Sequence, residues 1–307
     1  MSFAVVFPGQ GSQFVGMADP WAGHPASKEV LDEASTAMRR DVVAVSHDEA
    51  ALATTDFVQP ALLACDVAAF RVLEAEGLDT ESLVGVAGHS LGEFAALVAA
   101  GSIGLADALE LVVARGAAMQ LAGTMRPGTM TALLGVGSHD AEELCGEVRD
   151  DDELVVANQN SPVQVVISGS VAAIERAEAL AKERKIRAVR LKVAGAFHSE
   201  LMRPAVAPIL EVMSRIEVRA PRFPIAENVT GALVSDAAAL RELVNIQVVS
   251  PVRWEAGVRA LEVAGATRFL EAGPGDVLTK LAKRIVPEAT ASAVGSPEAA
   301  VEAIAAA

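Results

Sequence analysis

The chain has 307 residues, of which 52% are hydrophobic and only 4% aromatic. This length fits roughly two domains of ~150 residues, or one large domain with an insert, and the core must consist mainly of Ala, Val and Leu. The 40 acidic and 25 basic residues give a formal charge of −15, which argues against nucleic acid as a partner.

The two cysteines, Cys65 and Cys145, lie in apolar or amphipathic patterns and are expected to be buried thiols in a reducing compartment. No positively charged leader precedes an apolar segment, and no apolar run reaches 18 residues, so we expect a cytoplasmic protein that does not contact a membrane. The sequence contains no Walker-type loop, no Gly-x-Gly-x-x-Gly after a strand and no His/Cys cluster at metal-ligand spacing. We therefore expect neither a metal nor a cofactor.

The first predicted strand, Phe3 to Phe7, leads into a polar, glycine-rich loop, Pro8-Gly9-Gln10-Gly11-Ser12-Gln13. A loop of this kind after a buried strand lies at the carboxyl edge of a sheet, where binding sites occur, although most such loops are only turns. Further along, the patterns predict short amphipathic helices over residues 27–40 and 47–54, and a stronger helix that begins at Gln59-Pro60 and ends at Gly77.

The next segment combines a short apolar strand, Leu83 to Ala87, the pentapeptide Gly88-His89-Ser90-Leu91-Gly92 and a helix from Glu93 to Ala100. The pentapeptide fits Gly-x-Ser-x-Gly, and a strand, a sharp turn and a helix are the context in which this pattern forms a nucleophile elbow. Ser90 is then a candidate nucleophile, and the backbone N–H of Leu91 is free to face an oxyanion. The plainer interpretation is that Ser90 only caps the helix.

A helix predicted from Leu105 to Leu121 carries Arg115 within its apolar pattern. A lone arginine in such a place is usually a surface residue whose aliphatic stem lies along the apolar face. The alternative is a buried cation that awaits an anionic ligand.

Residues 126–193 form a distinct block. The predicted order is a strand (Met130 to Val136), a helix (Asp140 to Val148), two strands (Glu153 to Ala157 and Val163 to Ser168), a helix (Val171 to Arg184) and a strand (Ala188 to Val193). This βαββαβ order is the ferredoxin-like arrangement, and the length suits a small inserted subdomain.

A dense positive run lies within this block. It contains Lys182, Arg184, Lys185, Arg187, Arg190 and Lys192, with a single acidic residue among them. The plainer interpretation is a solvated helix end whose cations complement the helix dipole. The alternative is a docking patch.

His198 follows in Gly195-Ala196-Phe197-His198-Ser199, a loop of mostly small residues that opens a helix to about Ile216. A lone histidine is more often structural than catalytic. Its place after a strand nevertheless makes His198 the best candidate for a general base.

The remaining patterns predict a strand, two helices, a last strand and a frayed Ala-rich end, in that order: Ile225 to Val229, Asp236 to Val249, Pro251 to Ala264, Arg268 to Glu271, and the residues from Glu298 onward.

Six of these stretches, in this order, resemble malonyl-CoA:acyl carrier protein transacylases and the related acyltransferase domains of fatty-acid and polyketide synthases. They are Phe7-Pro8-Gly9-Gln10-Gly11-Ser12-Gln13, Gly88-His89-Ser90-Leu91-Gly92-Glu93, Arg115-Gly116-x-x-Met119, Asn158-x-Asn160-Ser161-Pro162-x-Gln164, Gly195-Ala196-Phe197-His198 and Gln247-x-x-x-Pro251-Val252-x-Trp254. One such match is weak evidence, whereas six in order over nearly the whole chain are specific.

The resemblance implies catalytic roles. Ser90 would attack the thioester carbonyl and carry the acyl group, and His198 would take and return the proton. The family supports its histidine through a main-chain carbonyl, which the match places at Gln247. Backbone N–H groups of Gln10 and Leu91 would form the oxyanion hole.

The resemblance also implies how the acyl group is chosen. Arg115 would hold the free carboxylate of a malonyl group with a bidentate fork. Met119, Phe197 and Asn160 would help to bind the substrate. Gly-Ala-Phe-His-type sequences accompany malonyl specificity in the family, and the bulk of Phe197 would disfavour a methyl group at the acyl α-carbon by only ~1–3 kcal/mol.

The expected fold is α/β, with an α/β-hydrolase-like core and its parallel sheet over residues 1–125 and 194–307, and an inserted ferredoxin-like subdomain over residues 126–193. The expected activity is transfer of malonyl from coenzyme A to the phosphopantetheine thiol of acyl carrier protein. The positive run would dock that acidic carrier protein. The chain begins two residues before its first predicted strand and ends soon after its last predicted helix, so a discrete enzyme of a dissociated fatty-acid system is expected. A monomer is also expected.

Two alternatives come from different classes. One is an α/β-hydrolase-type thioesterase or esterase, which the absence of an obvious acid between Ser90 and His198 disfavours. The other is a non-catalytic protein that binds carrier protein, which the combination of Ser90, His198 and Arg115 disfavours.

Overall fold

The computed structural model describes residues 2–306. Its strands are β1 (Phe3–Phe7), β2 (Leu83–Gly88), β3 (Gly128–Leu134), β4 (Leu154–Ser161), β5 (Gln164–Ser170), β6 (Arg187–Arg190), β7 (Ile225–Ala226), β8 (Leu233–Val234), β9 (Arg268–Ala272) and β10 (Thr290–Val294).

The α-helices are α1 (Pro25–Met38), α2 (Val42–Val45), α3 (Glu49–Leu52), α4 (Thr55–Ala75), α5 (Gly92–Ala99), α6 (Leu105–Met125), α7 (Ser138–Val148), α8 (Val171–Glu183), α9 (Val206–Met213), α10 (Ala237–Ile246), α11 (Trp254–Val263), α12 (Val277–Ile285) and α13 (Pro297–Ala305). Short 3₁₀ helices cover Asp19–Trp21, Glu200–Ala205 and Gln247–Val249. Within the described residues, no helix combines the length and the apolar character that crossing a membrane requires.

The larger sheet has the strand order β10-β9-β1-β2-β7-β8. The pairings from β10 to β7 are parallel, and β8 runs antiparallel to β7. Every residue of β1 is buried, as expected for a strand with both faces covered. Its alternate side chains point to opposite faces: one set packs with α4, α5 and α6, and the other with α11 and α12.

The smaller sheet has the order β4-β5-β3-β6 and is antiparallel throughout. Its chain order is strand, helix, strand, strand, helix, strand. One face packs on α7 and α8 through a separate apolar cluster that includes Leu133, Leu144, Ile167 and Ile174. The opposite face contributes Met130, Ala132 and Val166 to the core of the larger sheet.

The two sheets are tied together where β4 ends. The N–H of Val252 donates to the carbonyl of Ala157 at 2.8 Å, and the N–H of Gln159 donates to the carbonyl of Val252 at 2.9 Å. These bonds form a short parallel bridge between Asn158 and Val252. The smaller sheet is thereby held against the segment that precedes α11, and a cleft is left between the two layers.

Several predicted elements differ from the structure. The predicted strand from Ile225 ends at Ala226 and not at Val229, and β8 was not predicted. The strand at Arg268–Ala272 is not the last one, because β10 follows it and forms an edge of the larger sheet. The sequence of β10, Thr-Ala-Ser-Ala-Val, has few of the bulky apolar side chains that are typical of a strand. Helix α4 begins at Thr55, so Pro60 lies inside it and not at its start. The C-terminal helix is anchored and not merely frayed, since Ser296 caps α13 and the side chains of Ala300 and Ala303 are buried.

Candidate active site

The turn between β2 and α5 places Ser90 in a left-handed conformation, with φ of 51°. Glycine is required on both sides of this turn. A Cβ on Gly88 would lie 1.9 Å from the carbonyl carbon of Gly92, and one on Gly92 would lie 2.1 Å from the carbonyl oxygen of Phe7. The chain therefore turns sharply against the end of β1 and projects the Ser90 hydroxyl into the cleft, which is the geometry of a nucleophile elbow.

Asn228, which follows β7, holds this strained turn. Its Oδ1 accepts a hydrogen bond from the N–H of Ser90 at 2.7 Å, and its Nδ2 donates to the carbonyl of Gly88 at 2.7 Å. Its own N–H donates to Glu93 Oε1 at 2.8 Å. A left-handed non-glycine residue costs of order 1–3 kcal/mol, and these bonds help to offset that cost.

Ser90 Oγ lies 2.8 Å from Nε2 of His198. On the other side of the ring, Nδ1 lies 3.1 Å from the carbonyl of Gln247 and 3.0 Å from the carbonyl of Ser250. Because a carbonyl can only accept, Nδ1 carries the hydrogen and Nε2 is free to accept a proton from Ser90. The histidine is thus oriented by two backbone carbonyls, and no carboxylate among residues 2–306 forms a hydrogen bond with it.

His198 is only 3% exposed. Burial, followed by the positive charge of Arg115, lowers the pKa of His198 to about 3. The imidazole is therefore neutral at physiological pH, as a proton acceptor for Ser90 must be.

Arg115 is 1% exposed, which excludes the surface interpretation of this residue. Its Nη1 donates to Gln59 Oε1 at 2.6 Å, and its Nη2 donates to Gln247 Oε1 at 2.9 Å and to Ser90 Oγ at 3.2 Å. Burial lowers the pKa of Arg115 to about 10, and Glu93 opposes this shift, so the guanidinium remains charged at neutral pH. A buried cation therefore lies directly beside the candidate nucleophile.

The side chain of Gln247 links these groups. Its Nε2 donates to the carbonyl of Ser90 at 2.9 Å and also to Glu93 Oε2, while its Oε1 accepts from Arg115. Burial, together with the nearby charge of Glu227, raises the pKa of Glu93 to about 8. Glu93 accepts a hydrogen bond from the side-chain amide of Gln247. Within the described part of the chain, no hydrogen bond joins Glu93 to His198.

The Ser90 hydroxyl opens into a cavity of about 90 Å³, lined by Gln10, Gln59, His89, Ser90, Leu91, Arg115, Met119, Met130, Asn158, Leu191, Val193, Phe197 and His198. The backbone N–H groups of Gln10 and Leu91 donate to no other described residue. Met119 receives a hydrogen bond on Sδ from Gln59 Nε2 at 3.4 Å. The cavity therefore combines a nucleophile, a base, a cation, two free N–H donors and an apolar wall.

Asn160 lies in an adjoining cavity of about 190 Å³ and does not line the Ser90 cavity. Its Oδ1 accepts a hydrogen bond from Nε2 of His89 at 2.8 Å. The two cavities share Gln10, His89, Asn158 and Leu191, and together they follow the cleft between the sheets. Contact of Asn160 with an acyl group on Ser90 is therefore not supported, because the amide is held by His89 outside that cavity.

The positive run lies at the end of α8 and along β6, an edge strand of the smaller sheet. Two of its cations are already paired: Arg184 with Glu147 and Arg190 with Glu178, each at 2.6 Å. The other four cations, Lys182, Lys185, Arg187 and Lys192, are exposed and form no ion pair with another described residue. The surface is therefore less positive than the sequence count suggests.

Four groups in the site were not identified from the sequence: Gln59, Asn228, Ser250 and Glu227. Among the described residues, no group of three or more His, Cys, Asp or Glu side chains is arranged to hold a metal ion.

Comparisons with known proteins agree with this geometry. The family model described as "Acyl transferase domain" matches residues 4–302. A malonyl CoA-acyl carrier protein transacylase of Salmonella typhimurium is 42% identical over 301 residues, which is 97% of each chain. The enzyme of the same name from Bacillus subtilis strain 168 is 37% identical over 300 residues, 96% of this chain and 94% of the relative.

Solved structures show the same likeness. An acyl-carrier-protein S-malonyltransferase from Burkholderia pseudomallei superposes with a TM-score of 0.95 at 40% identity, over 99% of this chain and 100% of the other. A malonyl-transacylase solved in complex with a type II polyketide acyl-carrier protein gives a TM-score of 0.95 at 38% identity, over 100% of both chains. With a family model that spans nearly the whole chain and a serine–histidine pair in its cleft, this protein belongs to the acyl transferase domain family.

Proposed function

We propose that this protein transfers a malonyl group from malonyl-CoA to the phosphopantetheine thiol of acyl carrier protein, and so supplies chain extension in fatty-acid or polyketide synthesis. The observation that carries the proposal is the placement of Arg115, a buried cation whose Nη2 lies 3.2 Å from the hydroxyl of Ser90. A cation so close to the nucleophile suits an acyl group that bears a carboxylate. The names of the relatives agree with this substrate.

In the first half-reaction, His198 Nε2 takes the hydroxyl proton while Ser90 Oγ attacks the thioester carbonyl carbon. The carbonyl oxygen becomes an oxyanion that the N–H groups of Gln10 and Leu91 stabilise; loss of one such donor costs about 3 kcal/mol. When the carbon–sulfur bond breaks, the coenzyme A thiolate takes the proton from His198. A malonyl ester of Ser90 remains.

In the second half-reaction, the phosphopantetheine thiol gives its proton to His198 and attacks the ester carbonyl. The carbon–oxygen bond to Ser90 breaks, and Oγ recovers the proton from His198. The protein is restored and the malonyl group is on the carrier. No electron transfer and no further reactant enter this balance, so we propose that the chain works without a cofactor.

Acyl selection is assigned to the walls of the Ser90 cavity. Arg115 would bind the malonyl carboxylate through two N–H groups, a geometry that lysine cannot reproduce. Phe197 and Met119, both almost fully buried, would restrict the space around the acyl α-carbon. One additional methyl group is worth only ~1–3 kcal/mol in such a pocket, so we expect a preference for malonyl over methylmalonyl and not complete exclusion.

Two assays separate this function from its alternatives. The first mixes the protein with malonyl-CoA alone, and the second adds acyl carrier protein. We expect a seryl ester in the first and rapid transfer to carrier in the second. A thioesterase would release free malonate at the same rate in both, and a non-catalytic binding protein would form no ester.

We also propose a finer description of the fold: an α/β-hydrolase-like core over residues 1–125 and 194–307, and a ferredoxin-like subdomain over residues 126–193. The parallel sheet with its elbow after β2 supports the first part. The order β4-β5-β3-β6, with two helices on one face, supports the second. We further propose a cytoplasmic monomer.

Carrier protein is proposed to dock on the positive run: Lys182, Arg184, Lys185, Arg187 and Arg190. Two features support this surface. Its cations are exposed at the end of α8 and along the edge strand β6, and that strand leads directly to Leu191 and Val193, which line the Ser90 cavity. Of these five residues, Arg184 and Arg190 are already paired with glutamates, so Lys182, Lys185 and Arg187 carry the uncompensated charge, next to the exposed Lys192.

A further inference from the structure

Arg115 and His198 contact the same oxygen atom from two sides. Arg115 Nη2 lies 3.2 Å from Ser90 Oγ, and His198 Nε2 lies 2.8 Å from it. Both side chains are at least 97% buried. Arg115 and His198 are therefore close enough for the charge on Arg115 to affect the protonation of His198, and little solvent lies between them to screen it.

Both proposed half-reactions pass through a protonated His198. In the empty protein that second cation would form beside Arg115, and no anionic side chain among the described residues contacts His198 to balance it. The ring faces the carbonyls of Gln247 and Ser250 on one side and the neutral, buried His89 from the elbow. Glu93 on α5 bonds to the amide of Gln247 and to the backbone N–H of Asn228, and not to His198 itself.

Arg115 has N–H groups available for a second partner. Its Nη1 makes one of the hydrogen bonds described and its Nη2 makes two, while a guanidinium has five N–H donors. A carboxylate of the acyl group can therefore bind Arg115 while Gln59 and Gln247 keep it in place. That carboxylate places a negative charge against the guanidinium of Arg115.

We infer that the malonyl carboxylate has a second role besides binding: by neutralising Arg115 it makes protonation of His198 easier, so that the substrate itself activates the base. This inference rests on the proposed function and deepens it. An acetyl group fills the same place without the compensating charge. Discrimination between malonyl and acetyl should therefore appear in the rate of the acylation step as well as in binding.

The direct test is to titrate His198 by NMR in protein labelled with ¹⁵N-histidine. Ser90→Ala keeps the acyl-CoA unreacted, and Ser90→Gly, which accepts positive φ more readily, serves if the alanine variant does not fold. Spectra are recorded against pH without ligand, with saturating malonyl-CoA and with saturating acetyl-CoA. The exposed His139 provides an internal control, since its signals should not change when either ligand is added.

Malonyl-CoA should increase the proton affinity of His198 roughly tenfold or more, the size of effect that a charge change within a few ångströms produces. Acetyl-CoA should leave it nearly unchanged. In a variant that also carries Arg115→Gln, the proton affinity should already be high without ligand. Equal effects of the two acyl-CoAs, or no effect of bound malonyl-CoA, would overturn the inference.

A kinetic measurement covers the unsubstituted protein. The rate of single-turnover acylation is measured at saturating acyl-CoA while the pH is lowered. The rate should begin to fall at a higher pH with malonyl-CoA than with acetyl-CoA, because protonation of His198 in the bound complex removes the base. If the rates with the two acyl-CoAs fall at the same pH, so that the acid limbs of the two pH profiles coincide, the inference is contradicted. If malonyl-CoA acylates Ser90 but the limbs coincide, only the inference fails; if malonyl-CoA gives no ester at all, the proposed function fails.

Discussion

Replacing Arg115 by alanine should change the acyl selectivity of the protein. The guanidinium is 1% exposed and forms hydrogen bonds to Gln59, Gln247 and Ser90, so the variant loses a cation that bulk water cannot replace. Removing one partner of a buried ion pair costs about 3–5 kcal/mol. For malonyl-CoA this corresponds to a fall in kcat/KM of roughly 10²- to 10⁴-fold.

Acetyl-CoA has no carboxylate to lose, and its acylation rate should change by less than about tenfold, because only the electrostatic effect on His198 remains. The assay is the initial rate of Ser90 acylation by each substrate, with thermal unfolding measured on the same preparations. Arg115→Lys is the matched control, since it keeps the charge but cannot form a bidentate fork, and we expect intermediate malonyl activity. Equal losses with both substrates would show that Arg115 only supports the fold.

Three further predictions follow from separate contacts. Asn228→Ala leaves two buried backbone groups of the elbow unpaired and should lower the free energy of unfolding by roughly 2–4 kcal/mol, measured with urea; an unchanged midpoint would contradict its role. The pKa of His198 is about 3 in the folded protein, so between pH 6.5 and 3 the unfolded chain binds more protons than the folded protein does. The free energy of unfolding should therefore fall as the pH is lowered through this range. His198→Gln lacks this group and should lose less stability between pH 7 and 4, as measured by urea unfolding at each pH. Replacing both Lys185 and Arg187 by Glu reverses two charges of the positive run, and it should slow transfer to carrier protein and flatten the salt dependence of that rate. The control, Arg39→Glu at the end of α1, should change neither. An unchanged salt dependence in the double variant would mean that carrier protein docks elsewhere.

The residues that could be identified from the sequence are those whose role is marked by neighbouring residues. Ser90 lies in a local strand–turn–helix pattern, and Arg115 interrupts an apolar periodicity. His198 lies in a loop of small residues after a strand. In each case a few adjacent residues carry the signal, and in the structure the three side chains meet around one oxygen atom.

The residues that were missed act across long stretches of chain. Asn228 binds the backbone of Ser90 over a separation of 138 residues, and Gln59 reaches Arg115 over 56. Asparagine and glutamine have no local pattern that distinguishes a buried hydrogen-bond partner from a surface residue. Such residues can be assigned only once the fold brings them together.

The positive run shows a related limit. Its cations are adjacent in sequence, but the glutamate that neutralises Arg184 lies 37 residues away on α7. Net charge over a short window therefore overestimated the positive character of the surface. Strand β10 was missed for a different reason: its small side chains carry little hydrophobic signal, and it forms because β9 offers an edge to pair with.

The most direct test of the central claim is the intact mass of the protein after brief mixing with malonyl-CoA. We expect one malonyl adduct, located on Ser90 by peptide mapping and discharged when acyl carrier protein is added. Ser90→Ala should acquire none. An adduct that persists in the alanine variant, or a wild-type protein that transfers malonyl to carrier without ever carrying it, would contradict the seryl-ester mechanism.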